Sequence, residues 1–279
     1  MKQLSSAFFN PKICRLNPGT HRSRRFLTHN RTATDSSPSV SPNGRKVAFA
    51  SINDTINEEI YIMEADGTPM RRVTKNTDRD LYPTFSPDGR KLLFTSTRRH
   101  VSPPGSGGSH AHELFRMNRH GAHVRLLSKK DVADRAVWSP TKNKIVFAAA
   151  ARSHSTGGGT QLWTMRPDGT DEHQLTSRKR FGVNRFPDFS PNGRRIVFSR
   201  QRDLDHKLHV WVMRADGTHE RRLTKAPRDD YGPVFSPNGK RIAFAGLPRE
   251  HFNLMVMRSD GSHQHKLTRG VAPSWGVRP

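Results

Sequence analysis

The chain is poor in cysteine, in acidic residues and in long apolar runs. One cysteine, Cys14, excludes an internal disulfide and a cysteine-rich metal site. Hydrophobic residues fill only 32% of the 279 positions, and mean hydropathy is −0.80. No run of about 18 apolar residues occurs, which excludes a transmembrane helix. The first residues carry no apolar segment of signal-peptide length. Asp plus Glu total 24 against 48 Lys plus Arg, a net charge of +24. That imbalance bears on solubility and on attraction to polyanions, not on fold. Catalytic signatures are missing too: no G-x-S-x-G elbow, no H-E-x-x-H, no P-loop and no strand-linked G-x-G-x-x-G. His112-Glu113 lacks the second histidine of a zinc motif. No cofactor is expected.

What is present is chain punctuation, with 21 Gly and 19 Pro, and it recurs. Ser-Pro-Asn/Asp-Gly starts at Ser41, Ser86, Ser190 and Ser236, and Ser-Pro-Thr-Lys-Asn starts at Ser139. Each copy leads into a basic residue and a short apolar run, such as KVAFAS or RIVFSR. A second run follows (IYIM, LFRM, LWTM, VWVM, LMVM). Then come a turn, Asp-Gly in four copies and His120-Gly121 in one, and a closing R-x-L-T-like segment. Every unit reads as four short antiparallel strands, A to D. Strand B is apolar on both faces, as a strand buried on both faces must be. Pro and Gly shape the A–B turn, and Asp-Gly is a hairpin signal for C–D. Four strands per repeat of about 45 residues describe a propeller blade.

The whole repeats run over about 35–76, 77–130, 131–179, 180–226 and 227–269. The ends suggest a divided sixth. Pro273-Ser274-Trp275-Gly276 matches strand A, Ile13–His21 matches strand C, and Arg24–Thr28 matches strand D. Leu4–Phe9 reads as its strand B. The expectation is one all-β domain over 1–279: a six-bladed propeller whose sixth blade is closed by residues 1–34 and 270–279.

The pattern P-x-F-S-P-D/N-G-K/R-x-I-x-F, then I-Y-V-M-x-x-D-G-T, then R-x-L-T resembles the TolB-type β-propeller repeat, a relative of WD repeats. The resemblance covers nearly the whole chain and implies a six-bladed propeller. It also implies a periplasmic or secreted protein, although the chain as given opens directly in a strand without an export signal. The α/β domains that accompany this propeller in family members have no counterpart here.

Loops sort onto two faces. A–B and C–D turns share one; B–C loops and D–A connections share the other, which varies more between blades. Function is expected where blades differ. On that variable face one position holds Asp35, Asp80, Asp134, Asn184, Asp230 and Gly270, expected to ring a channel mouth. The ring suits a cation or a basic peptide, or else each carboxylate fixes its own D–A turn. Recurrence favours the turn. Arg79, Arg135, Arg185 and Arg228 lie close enough in sequence to neutralise it. The B–C loops Arg98–His112 and Arg152–Thr160 are rich in Gly, Ser and Pro. The pairs His110/His112, His206/His209 and His263/His265 lack a third metal ligand, so surface histidines are expected. Strand C methionines (Met63, Met117, Met165, Met213, Met257) read as a packing layer, and Cys14 aligns with core positions.

On the other face, Arg45, Lys46, Arg90, Lys91, Arg194, Arg195, Lys240 and Arg241 follow the A–B turns. Arg71-Arg72 and Arg221-Arg222 begin strand D, where edge charge discourages aggregation. The residues thus point first to a monomeric, non-catalytic scaffold that binds a protein or peptide on the variable face. A polyanion-binding module on the basic face is the second reading. An enzyme with a channel-mouth site is the third.

Overall fold

The Ser-Pro-Asn/Asp-Gly turn builds each blade from within. In the computed structural model of the chain, Ser41, Ser190 and Ser236 each donate Oγ–H to the Asn two residues on, at 2.8 Å. Each hydroxyl then accepts the N–H that opens strand B, at 2.9 Å, as Ser86 does for Lys91. A short side chain thus satisfies the backbone at the tightest bend. The structure describes residues 12–16, 24–29, 33–52, 57–98, 112–132, 134–141, 143–150, 159–176, 182–201, 207–247, 252–269 and 273–274.

Five four-stranded antiparallel blades follow one another. Blade 1 is β3 (Thr34–Val40), β4 (Lys46–Ile52), β5 (Glu59–Glu64) and β6 (Met70–Arg72). Blade 2 is β7 (Asp80–Phe85), β8 (Lys91–Ser96), β9 (Glu113–Asn118) and β10 (Arg125–Ser128). Blade 3 is β11 (Val137–Trp138), β12 (Ile145–Ala150), β13 (Thr160–Met165) and β14 (His173–Gln174). Blade 4 is β15 (Val183–Phe189), β16 (Arg195–Gln201), β17 (Leu208–Arg214) and β18 (Arg221–Arg222). Blade 5 is β19 (Asp229–Phe235), β20 (Arg241–Leu247), β21 (Asn253–Arg258) and β22 (His265–Arg269). The first strands contact one another in order, β3 to β7 to β11 to β15 to β19, and form the inner wall.

The expected sixth blade is not formed. Among the described residues, what stands ahead of blade 1 is β1 (Cys14–Leu16) and β2 (Arg24–Phe26), paired as a two-stranded sheet. Pro273 and Ser274 are outside any strand, although Ser274 Oγ accepts a bond from Val40 N at 3.4 Å. Leu4–Phe9, Gly270 and Trp275-Gly276 lie outside the described residues. The split unit has no Ser-Pro-Asn/Asp-Gly turn to register an inner strand. It would have to pair the two ends of the chain without a local hairpin to set their register. Cys14 is half-buried rather than core. The small sheet still covers blade 1: Ile13 and Leu27 are buried against Val47, Phe49, Tyr61 and Met63.

Between blades the core repeats. Phe49, Phe94, Phe147, Phe198 and Phe244 hold one strand B position and are fully buried. Burying each contributes roughly 1.5–3 kcal/mol. The five strand C methionines are 1% exposed, which makes them the packing layer the sequence suggested. Trp211 is core, whereas Trp163 is half-buried with the Lys130 ammonium 3.9 Å from its ring centre.

The R-x-L-T segment has two jobs. Its threonine caps strand C: Thr28, Thr74, Thr176 and Thr224 accept N–H from Ile13, Ile60, Leu162 and Val210 at 2.9–3.1 Å. Its apolar residue presents a carbonyl to the hairpin glycine of the next blade. A Cβ on Gly121 would fall 2.4 Å from Val73 O, so only glycine fits there, at φ +94°. Arginines reach across the same seam. Arg71 donates to Arg119 O, Arg116 to Pro167 O and Arg221 to Asp260 O, at 2.8–3.2 Å. Part of the positive charge therefore serves as donors to backbone carbonyls.

Candidate functional site

The two faces sort by hydrogen bonding. Ala65 N, Arg119 N, Ala215 N and Ser259 N bond Arg45, Arg90, Arg194 and Lys240 carbonyls, joining each C–D turn to its A–B turn. At the opposite end, Asp80 N bonds Glu58 O and Thr97 N bonds Arg79 O.

On that second face the predicted acidic ring sits in the blades rather than in an open mouth. Asp80, Asp134 and Asp230 are 0% exposed, Asp35 4% and Asn184 3%. Asp35 accepts from Ser51 Oγ at 2.6 Å. Asp80 accepts from Asn76 Nδ2 at 2.8 Å and pairs with Arg98 at 2.9 Å. Asp230 accepts from Arg228 Nε at 3.0 Å, and burial raises its pKa. Asn184 bonds Gln161 Oε1 and accepts from Arg200 Nε at 2.6 Å.

The neighbouring arginines divide. Arg185 and Arg228 pair with ring acids, at 3.3 and 3.0 Å. Arg79 instead forms a two-pronged pair with Glu58, at 2.7 and 2.8 Å, which holds Glu58 below the usual carboxylate range. Arg135 crosses from blade 3 to bond Pro233 O of blade 5 at 2.9 Å.

The inner strands carry a feature that local sequence patterns do not announce. β3, β7, β15 and β19 each hold a bulge, where the register shifts after Ser36, Leu81, Arg185 and Tyr231. The bulged residues are Ser37, Tyr82, Phe186 and Gly232, all before a proline and all at φ +53° to +55°. Glycine is the relaxed choice at such a φ; a bulky aromatic there is a genuine outlier. Holding one costs on the order of 1–3 kcal/mol. Blade 3 has one residue fewer between Asp134 and Ser139 than its counterparts have, and lacks the bulge.

Phe186, on its bulge, meets two aromatics of blade 5. Phe186 packs edge-on to Tyr231 with ring centres 6.5 Å apart, and Tyr231 edge-on to Phe252 at 5.7 Å. The Arg185 guanidinium lies 4.9 Å from the Phe186 ring centre. Phe252 is 37% exposed, and Tyr82, Phe186 and Tyr231 are half-buried. Burial raises the Tyr82 pKa, and its hydroxyl senses Asp134, Arg185, Arg79 and Glu58. The signal for these residues was positional: the residue before the strand A proline differs in every repeat.

Two carboxyls stitch blades together beneath them. Asp134 accepts from Phe186 N at 2.9 Å and from Arg185 Nε; desolvation pushes its pKa up to about 6. Asp188 accepts from Phe235 N of blade 5 at 2.8 Å. It keeps some surface but is enclosed by the inner strands, and desolvation pushes it up to about 6 as well, opposed by Arg135.

The basic turn face is less uniform than its sequence. Arg45, Arg90, Lys91, Arg194, Lys240 and Arg241 are exposed, and Arg195 is half-buried. Lys46 pairs with Glu64 across blade 1. His263 and His265 are exposed, and His110 and His206 lie outside the described residues, as do most of the two glycine-rich B–C loops. Among the described residues no three His, Cys, Asp or Glu gather as a metal site, and no helix is long and apolar enough to cross a membrane.

A family model described as the TolB beta propeller domain matches residues 10–227. Among solved structures, the putative TolB from Agrobacterium tumefaciens superposes with a TM-score of 0.75 at 21% identity, over 94% of this chain and 92% of that one. TolB from Acinetobacter baumannii gives 0.73 at 22%, over 91% of this chain and 60% of that one. An oligogalacturonate lyase from Vibrio parahaemolyticus gives 0.58 at 11%, over 93% and 73%. No curated protein matches. At such identities the likeness to solved structures carries fold alone, and one fold hosts many functions. The family model, by contrast, spans most of the sequence, and the chain belongs to the TolB β-propeller domain family.

Proposed function

We propose that this chain is a non-catalytic scaffold that takes a protein or peptide partner on the channel face. The observation that carries the reading is the cluster of Arg185, Phe186, Tyr231 and Phe252, drawn from two blades and left partly exposed. Aromatic and arginine side chains dominate the energetic centres of protein interfaces, because they present large rigid area at low entropic cost. Strained backbone at Phe186 and Tyr82 fits the same reading, since strain persists where a side chain must be aimed. Reading the ring acids as structural supports the non-catalytic part. Their carboxyls are buried and bonded to donors of the fold, so they are poorly placed to exchange protons with a substrate.

Phe186→Gly separates function from architecture. It keeps the bulge, relaxes φ and deletes the ring. Peptides selected from a random displayed library against the native protein are expected to lose binding to this variant while its melting temperature holds or rises. Selected peptides that bind the variant unchanged would move the site elsewhere. No enrichment at all would remove the reading.

A further inference from the structure

The turn face of blade 4 holds a cleft of about 540 Å³, lined by Asn192, Arg194, Arg195, Arg214, Ala215 and Asp216. That is the size of an ordinary small-molecule site. Its walls are the A–B and C–D turns of one blade, tied together by Ala215 N to Arg194 O at 2.9 Å.

Within it, Arg195 and Arg214 are direct partners across β16 and β17. Like charges directly opposite in an antiparallel pair are destabilising. These are the two central strands of the blade, so protection of an exposed edge does not explain the charge. The same register position is neutral in two blades, where Lys46 faces Glu64 with an ion pair and Lys91 faces Asn118, and like-charged again in blade 5, where Arg241 faces Arg258; in blade 4 the opposed pair also lines a cleft. Among the described residues, Arg194, Arg195 and Arg214 form no ion pair, and their side chains donate no hydrogen bond. Arg195 is held in place by the Phe235 ring of blade 5, 5.4 Å from its guanidinium. Asp216 cancels one of the three charges, but its Oδ1 is engaged by Thr218 N and Oγ, at 2.9 and 2.7 Å. A positive excess with unused, forked donors remains, in the form that suits oxyanions.

We propose that this cleft is an anion site for a compact ligand bearing two or more phosphate or sulfate groups. Such a ligand neutralises the Arg195–Arg214 opposition and engages Arg194 at the rim. The site lies on the face opposite the aromatic cluster and stands or falls independently of the partner proposed there.

Calorimetric titration of the full chain with inorganic tripolyphosphate tests it, beside a trisulfated heparin disaccharide and duplex DNA. One site is expected, weakened about tenfold or more in R195Q/R214Q and unchanged in K46Q. Without ligand, the double variant is expected to melt no lower than the native protein, because it removes a repulsion. Preference between the two small anions assigns phosphate or sulfate. Equal affinity in native protein and double variant, or tight binding of DNA alone, would overturn the proposal in favour of diffuse surface charge. Should the double variant fail to fold, R194Q carries the test: undiminished tripolyphosphate affinity there is the overturning result.

Discussion

The turn face and the channel face are built from the same strands, but the bonds between blades repeat on the first and differ from blade to blade on the second. On the turn face the bonds of the turn residues close within a single blade, Ser190 with Asn192 and Arg195, Asp216 with Thr218, and their copies elsewhere, while Arg71, Arg116 and Arg221 reach backbone carbonyls of the next blade. On the channel face Asp35 and Asn184 also bond within their own blade, but blades 3, 4 and 5 exchange partners. Asp134 of blade 3 holds Phe186 of blade 4, Asp188 holds Phe235 of blade 5, and Arg135 reaches Pro233. Repetition encodes the blade and its turn-side seam, and departures from repetition encode how blades meet on the channel side and what they present there.

The largest effect should come from the core that both faces share. Phe198→Ala removes a fully buried ring and is expected to cost about 3–5 kcal/mol. Chemical denaturation would read it, and a loss below about 1 kcal/mol would mean that the blades adjust around a cavity.

Next in size is the pH response of the channel face. Asp134 and Asp188 have folded-state pKa values raised from 3.8 to about 6. Between about pH 4 and 6 the folded protein holds protons that the unfolded chain has released. These groups therefore favour folding at low pH, and stability falls as pH rises through 6. The size is on the order of 3 kcal/mol per group at full shift. Glu58 acts in the opposite sense, because its pKa is lowered and its contribution is lost as pH falls below the usual carboxylate value. Asp188→Asn should flatten the decline between about pH 4 and 6 relative to the native protein. An unchanged slope would show that water solvates this carboxyl in the channel.

Two glycines sharpen the comparison further. Gly121→Ala drives a Cβ into Val73 O at 2.4 Å, whereas a Cβ on Gly232 meets nothing within 4 Å. Both sit at positive φ. Gly232→Ala is expected to cost about 1 kcal/mol from φ alone, and Gly121→Ala more, since a seam between blades must open. Equal losses would mean that the seam yields freely. The smallest expected effect is that of Phe186→Gly on stability, near zero or favourable.

Much of the fold was legible because its signals are local. Ser41 to Lys46 and Asp216 to Thr218 are satisfied within a few residues, so the turns declare themselves in the string. The number of blades was not legible. It depended on whether the strand-like ends would meet, and similarity of Pro273-Ser274 to a strand A says nothing about a partner to pair with. At the channel face the acids were visible but their role was not. Asp134 reads as one more turn aspartate, yet its donors lie in the next blade. Asp188 and Phe186 gave no signal beyond their variability.

Sequence alone determined the strand pattern, the blade turns, the apolar layers and the charge of +24, because each follows from residues close in the chain or from composition. Tertiary structure decided the rest. Five blades stand complete, the ring acids are buried, two aromatics are held on strained bulges, and Arg195 pairs with Arg214 at the wall of a cleft. The bulges and the Arg195–Arg214 register are set by pairing within a blade, whereas the number of blades and the burial of Asp134 depend on which blade lies beside which. Packing between surfaces distant in sequence sets that neighbourhood, and no local preference of the chain specifies it.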